Sequence, residues 1–409
     1  MTDFISIEKV YGILENAITP DARTERLPLG EACGRVLAEA VTAPADVPPF
    51  NNSAMDGFAF RREELSAGGT IELKVIGTAY AGAPFEGPVP EGCTVRIMTG
   101  APVPDKTDTV IPFERTASEG DIVRFPAEKV KPLENVRIRG EEIKAGETVI
   151  HPGQVLTPEW IGLAASLGAG DLLCRRISVA VFSTGDELVA PGARTALPPG
   201  KIYNANSPLI TALCREWGAE VEDLGILPDD PEVIRSALSA AAERSDFIVA
   251  SGGVGEGEHD YTCRVLNDLG CGISHYHISM RPGKPFSFGR FAGERACWFM
   301  ALPGNPVAAA VSAKLFLRRA IRLATGAAGP LDLEEVPATA ATRVKGRTGR
   351  TDLVRGRAEL EEGELRFRPT KSQSSAMLTT LAGMNVMAVL DTETAGTEEG
   401  AKLLCLRLD

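Results

Sequence analysis

The sequence predicts a multi-domain protein of α/β and β class: one α/β domain with a mainly parallel sheet, two β-rich domains and a small extended linking domain. Three observations carry this. Strand, loop and helix patterns alternate from Arg176 to about Leu323, as right-handed βαβ units require. Short apolar segments bounded by Gly and Pro fill the stretch from Pro44 to about Glu147, and β texture returns after Gly326. With 409 residues, at about 150 per domain, two to four domains are expected.

Taken in order, Ile7, Val10, Leu14 and Ala17 recur at helical spacing and predict an amphipathic helix from about Ser6 to Ala17. Leu27, Leu29 and Val36-Leu-Ala then suggest a short extended segment between Arg26 and Ala43. Strands follow at Gly69–Gly77, Cys93–Met98 and Thr109–Pro112.

The α/β region opens with the strand Ile177–Phe182 and continues through a helix near Ser207–Trp217 and the strand Glu220–Gly225. A helix near Pro231–Arg244, the strand Phe247–Ala250 and the strand Cys297–Leu302 come next. A long helix from Pro306 to about Leu323 closes it, with Asn305 as a good N-cap and Pro306 at the first helical position. Asp352–Leu360 and Asn385–Leu390 read as strands of a terminal β domain. There is no repeat of solenoid period.

The formal charge of −12 argues against a general nucleic-acid binder. The longest apolar stretches fall short of the roughly 20 residues that span a bilayer, and the first residues lack a signal-peptide pattern. A cytoplasmic protein with no membrane association is expected. The eight Cys are scattered without a Cys-x-x-Cys pair, which predicts reduced, individually buried thiols rather than zinc sites or disulfides.

The most informative segment is Ser251-Gly-Gly-Val-Gly-Glu-Gly-Glu-His-Asp260, directly after a buried strand. Open α/β sheets bind ligands at the C-terminal ends of their strands. Glycines let backbone N–H groups approach an anion, whereas Glu256, Glu258 and Asp260 repel one; a divalent cation reconciles the two. The alternative is a surface turn with solvated acids. A second strand end carries Ser183-Thr-Gly-Asp-Glu187, and a third carries Pro303-Gly-Asn-Pro306, which is either an anion site at a helix N-terminus or simple capping.

Between them, Arg281-Pro-Gly-Lys-Pro285 holds two cations on a stiff loop, suited to phosphate or oxyanion recognition or else to solvent. Asp56 and Thr99 stand among turn formers and by themselves read as Asx and hydroxyl turns. The run Arg137–Glu142 reads as a surface ion-pair cluster. His275 and His277 share a strand face, but no carboxylate or Cys stands beside them at metal-ligand spacing.

Together, Asn52-Ser-Ala-Met-Asp-Gly57, Arg96-Ile-Met-Thr-Gly-Ala-Pro102, Arg139-Gly-Glu, Ser183-Thr-Gly-Asp-Glu187, Ser251-Gly-Gly-Val254, Pro282-Gly-Lys-Pro285 and Leu302-Pro-Gly-Asn-Pro306 resemble the molybdopterin molybdenumtransferase family, MoeA in bacteria and the gephyrin E domain in animals. The match is ordered and spans nearly the whole chain. Departures from the family pattern stand at Asn51, Glu142, Asn204, Glu256, His277 and Arg281.

The resemblance implies a molybdopterin-binding-type α/β domain from residues 6–25 and 176–325 and a linking domain from 26–43 and 147–175. It further implies a β-rich domain at 44–146 and a C-terminal β domain at 327–409. The implied reaction inserts molybdate into adenylylated molybdopterin, releasing AMP with Mg2+ assistance. The implied assembly is an elongated homodimer, with the cleft between the α/β domain of one subunit and the β-rich domain of the other, and an adenylyltransferase is an expected partner.

By the same resemblance Asp56, Thr99, Glu187 and Asp260 are catalytic, and Glu187, Asp229 and Asp260 hold the metal. Arg137, Ser251, Gly252, Gly253, Arg281, Lys284, Pro303, Gly304, Asn305 and Pro306 bind substrate. Two rivals stay open: an adenylyltransferase that uses ATP directly, and a pterin-binding scaffold without catalysis.

Overall fold

The computed structural model describes residues 4–20, 23–67, 69–131, 133–192, 196–252, 261–293 and 296–408. The chain folds as two compact units, one comprising Met1–Glu39, Pro152–Gly162 and Ala169–Asp409, the other Ala40–His151 and Leu163–Gly168.

The larger unit is built on a seven-stranded sheet. Its strands are β1 (Phe4–Ile5), β2 (Ser178–Thr184), β3 (Glu220–Leu227), β4 (Phe247–Ser251), β5 (Cys271–Ile278), β6 (Pro285–Phe291) and β7 (Trp298–Leu302). They lie in the order β1-β5-β6-β7-β4-β2-β3. Neighbours β7, β4, β2 and β3 are parallel, as the alternating pattern predicts. Strand β6 runs antiparallel to both of its neighbours, a reversal that the sequence pattern did not announce.

Helices α1 (Ile7–Ala17), α2 (Asn206–Glu216), α3 (Pro231–Arg244) and α4 (Tyr261–Asp268) cover the sheet. Ser6 caps α1 by accepting from the Lys9 N–H at 3.2 Å, and Asp230 caps α3 through the N–H groups of Glu232 and Val233. Strands β2, β4 and β7 are buried on both faces, so they read as continuous apolar runs rather than alternating ones. One face packs Val179, Val181, Phe247, Val249, Trp298 and Met300 against Val10, Leu14 and Phe316. The other packs Ala180, Phe182, Ile248 and Phe299 against Ile234, Leu238 and Leu266. Each Val, Leu, Ile, Phe or Met among them contributes about 1.5–3 kcal/mol of burial.

The closing helix differs from its expected form. Segment α5 (Pro306–Ser312) passes through a π turn, Ala313–Leu317, into α6 (Arg318–Thr325), where Gly326 ends it in the left-handed conformation at φ 63°. Asn305 has extended cap backbone, but its side chain makes no capping bond; the Val307 N–H donates to Ser375 O at 3.1 Å instead.

Beyond it, β8 (Glu335–Ala340), β9 (Thr351–Glu361), β10 (Glu364–Pro369), β11 (Val386–Leu390) and β12 (Lys402–Arg407) close on themselves. Strand β9 pairs with β10 on one side and β11 on the other, and β12 joins β11 to β8. The interior holds Val354, Phe367, Val386, Ala388 and Cys405. Met280–Arg281 pairs in parallel with the start of β9.

The smaller unit carries a six-stranded sheet ordered Thr109–Pro112, Gly57–Phe60, Cys93–Ile97, Thr70–Ala79, Ile122–Pro126 and Ala117–Glu119. Phe58 and Phe60 face one core with Phe125 and Leu73, and Ala59 faces the other with Val95 and Ile97, the period of two expected of strands. Gly57 is required: a Cβ there would lie 2.0 Å from Ile111 O, because the two backbones meet without room for a side chain. Asn52–Ser53 pairs with Val136–Arg137 at the end of this unit.

None of the eight Cys is in a disulfide; Cys174, Cys214, Cys271, Cys297 and Cys405 are buried, Cys93 and Cys263 are half-buried, and Cys33 is exposed, contrary to the expectation that every one is interior. No helix among the described residues is long and apolar enough to cross a membrane.

Candidate functional site

Ser183, Ser251 and Leu302 stand in register on β2, β4 and β7, so the three glycine-bearing loops leave the same edge of the parallel sheet side by side. Leu227 pairs with Thr184, which brings Asp229 to the neighbouring strand end. These polar loops gather at the carboxyl ends of the strands, where open α/β sheets have their ligand-binding crevice.

Its floor is glycine. Gly252, at φ 79°, donates its N–H to Leu302 O at 3.2 Å, and a Cβ there would meet Gly304 Cα and Thr184 O, each at 3.7 Å. The Asn206 side-chain nitrogen, at the start of α2, donates to Ser251 Oγ at 2.6 Å and to Gly304 O at 2.7 Å, tying two of the loops together. Beneath it, Asn204 Nδ2 donates to Ser207 Oγ at 3.0 Å, and Ser183 Oγ lies 3.0 Å from the same hydroxyl. Among the described residues, Asn206 Oδ1 and Thr184 Oγ1 are buried without a hydrogen-bond partner. Sequence reasoning missed Asn206 and Ser207; the only signal was an Asn- and Ser-rich helix start after Ile202-Tyr203.

Glu187 is exposed beyond β2, and its carboxylate lies over Gly185: a Cβ on that residue, at φ 143°, would be 2.6 Å from Glu187 Oε2. The Ile202 N–H donates to Glu187 O at 2.8 Å, which anchors the backbone while the carboxylate stays at the surface. Asp229 is exposed at the adjacent strand end. Gly253 and Asp260, with Glu256, lie outside the described residues. Among the described residues no three His, Cys, Asp or Glu side chains gather as a metal cage.

The cationic loop divides its two charges. Arg281 Nε lies 3.1 Å from Asp352 Oδ1, and its Nη2 donates to Arg347 O and Thr348 O, so this guanidinium is taken up by the start of the barrel. Lys284 forms no ion pair among the described residues; its Nζ sits 5.4 Å over the Phe4 ring. The Arg350 guanidinium lies 5.8 Å from the same ring, and the His277 ring lies tilted at 41° to it with centroids 5.9 Å apart. Arg350, which the sequence reading passed over, thus joins Lys284 as a second cation. His275 Nδ1 lies 2.8 Å from Ser287 Oγ.

In the smaller unit, Asp56 Oδ1 accepts from the Thr99 N–H at 2.7 Å and from Thr99 Oγ1 at 2.8 Å. These two bonds, led by the backbone one, hold the Asp56 carboxyl below the usual carboxylate range. Arg137 is exposed and forms no ion pair among the described residues. The expected local ion-pair cluster is absent in that form: Arg139 Nε pairs with Asp46 Oδ2 at 2.6 Å, and Glu141 instead accepts the Ile138 N–H. The Arg139–Asp46 pair wins because the Ala145 N–H also fixes Asp46 in place.

Residues 5–168 match the MoeA N-terminal region (domain I and II), residues 180–323 a probable molybdopterin binding domain, and residues 337–408 the MoeA C-terminal region (domain IV). A molybdopterin molybdenumtransferase of Haemophilus influenzae is 38% identical over 92% of each chain. The chain belongs to the molybdopterin molybdenumtransferase family. A second member, from Nostoc, is 34% identical over 94% of this chain and 89% of its own. The solved molybdopterin biosynthesis MoeA protein of Pyrococcus horikoshii superposes with a TM-score of 0.80 at 26% identity, covering 99% of this chain and 100% of that one.

Proposed function

We propose that the crevice at the ends of β2, β3, β4 and β7 binds adenylylated molybdopterin and inserts molybdenum from molybdate into it, releasing AMP. Membership of the family makes the chain a transferase of molybdenum cofactor biosynthesis. The observation that carries the finer reading is the Asn206 bridge, which ties Ser251 to Gly304 and holds two glycine-bearing loops at one sheet edge.

Glycine backbone and the unsatisfied Asn206 and Thr184 oxygens suit a polar heterocycle with a phosphate chain. Lys284 and Arg350 are the cations available to molybdate or phosphate oxygens. Glu187 and Asp229 fit Mg2+, which commonly takes one or two carboxylates together with substrate phosphates and keeps its remaining waters. When bound, the ion neutralises charge on the leaving phosphate. Asp56, held as a carboxylate by Thr99, orients or accepts a hydrogen bond.

We further propose a cytoplasmic homodimer of four-domain subunits in which Asp56, Thr99 and Arg137 serve the second copy, with an adenylyltransferase delivering the substrate. Light scattering that returned a monomer at working concentration would remove the dimer from this reading. The reaction is tested by mixing protein, adenylylated molybdopterin, molybdate and Mg2+. Release of AMP with a cofactor that activates a molybdenum apoenzyme is expected. Binding without AMP release favours a scaffold, and consumption of ATP with molybdopterin favours an adenylyltransferase.

A further inference from the structure

Arg355 is the largest fully buried side chain of the molecule, and no carboxylate pairs with it among the described residues. Burial alone pulls its pKa down. A guanidinium nevertheless stays charged, so its place must be secured by acceptors. Those acceptors belong to one segment: Nη2 donates to Ser374 O at 3.1 Å and Nε to Thr380 Oγ1 at 3.2 Å. The backbone of the same residue binds the Gln373 side chain, its N–H donating to Oε1 at 2.9 Å and its carbonyl accepting from Nε2 at 2.8 Å.

The segment is otherwise poorly held, since residues 371–379 are exposed or half-buried and only Thr380 is interior. Yet it reaches the crevice. Ser375 O accepts the Val307 N–H at 3.1 Å, taking the place of the missing Asn305 side-chain cap one residue beyond the Pro303–Pro306 loop. An apolar side chain at this position, on the face of β9 opposite Val354, would be buried without the desolvation cost, so the charge is explained by what it holds.

We propose that Arg355 is a positioning residue: from the outer face of β9, opposite the interior-facing Val354, it fixes the Gln373–Thr380 segment so that Ser375 seats the start of α5, and through it the Pro303–Pro306 wall of the crevice. The ligand affinity this sets rests on the reading of the crevice as the reaction site.

The test uses the full-length protein and Arg355→Met, which keeps volume and leaves both backbone bonds to Gln373 intact. Hydrogen–deuterium exchange of the Val307 amide should accelerate by about tenfold or more while the amides of β9 and β11 keep their protection. The KM for adenylylated molybdopterin should rise about tenfold with a smaller change in kcat. Arg355→Lys, which retains a donor for Ser374 O, should recover part of both effects, and Thr380→Val should reproduce part of them if Arg355→Met fails to fold.

Unchanged protection of Val307, an unchanged KM, or, in a variant that folds, an equal loss of protection across the whole barrel would each overturn the proposal. If the wild-type protein released no AMP, the reaction would be misread, while Val307 exchange would still report on Arg355.

Discussion

One oxygen of Asp56 receives both the backbone N–H and the hydroxyl of Thr99, at 2.7 and 2.8 Å, although the two residues are 43 positions apart. The pair turns what reads as two separate turns into one fixed carboxylate. Thr99→Val removes only the hydroxyl bond, so the Asp56 carboxyl should titrate higher than in the wild type but still below its ordinary range. Carbon-detected NMR titration checks this.

The sign for stability follows from the lowered pKa. A carboxyl depressed in the folded state adds stability above its unfolded pKa and loses it as pH falls through the folded value. Thr99→Val should therefore be less stable than wild type at neutral pH, with the difference fading in acid. A gap that widened in acid would contradict this account.

Glu187→Ala should fold normally and lose turnover, because the carboxylate is exposed and carries no packing. Gly185→Ala is a geometric companion: its new Cβ would sit 2.6 Å from Glu187 Oε2 and push the carboxylate aside. Both should lower kcat by about a hundredfold or more if the acid acts in the transition state. Full activity in either would remove Glu187 from the reaction.

Asn206→Ala breaks two hydrogen bonds and leaves the Gly304 carbonyl without this donor. The expected loss is about 1–3 kcal/mol in urea unfolding, accompanied by a raised KM. A KM at the wild-type value would mean that the bridge serves the fold alone.

Thiol labelling under native conditions should begin at Cys33, the exposed one, and reach Cys93 and Cys263 more slowly. Burial pushes the Cys174 and Cys405 thiols up to about 11 and those of Cys214 and Cys271 to about 12. The thiolate is the reactive form, so these four should label only on unfolding. Mass spectrometry of partly labelled protein checks the order.

Local chemistry was legible before any coordinates. Apolar runs ending in Gly and acids announced the strand ends of Glu187 and Ser251, and the helix expected near Pro231–Arg244 forms over those residues, with Asp230 as its cap and Pro231 at its first position. Sheet order was not legible, since nothing local distinguishes β6, antiparallel to both neighbours, from the parallel strands of the same sheet, and its direction depends on which strands it lies between.

The sequence by itself determined which segments become strands and helices and which loops carry glycine beside charge, because capping, periodicity and turn chemistry act over a few residues. Only the tertiary structure decided how those charges are spent: Arg281 is bound to Asp352 and the barrel, Lys284 is joined by Arg350 over Phe4, and Asn206 ties Ser251 to Gly304. Such pairings join residues tens to hundreds of positions apart, and a side chain's partner is set by distance in space, which no local pattern encodes.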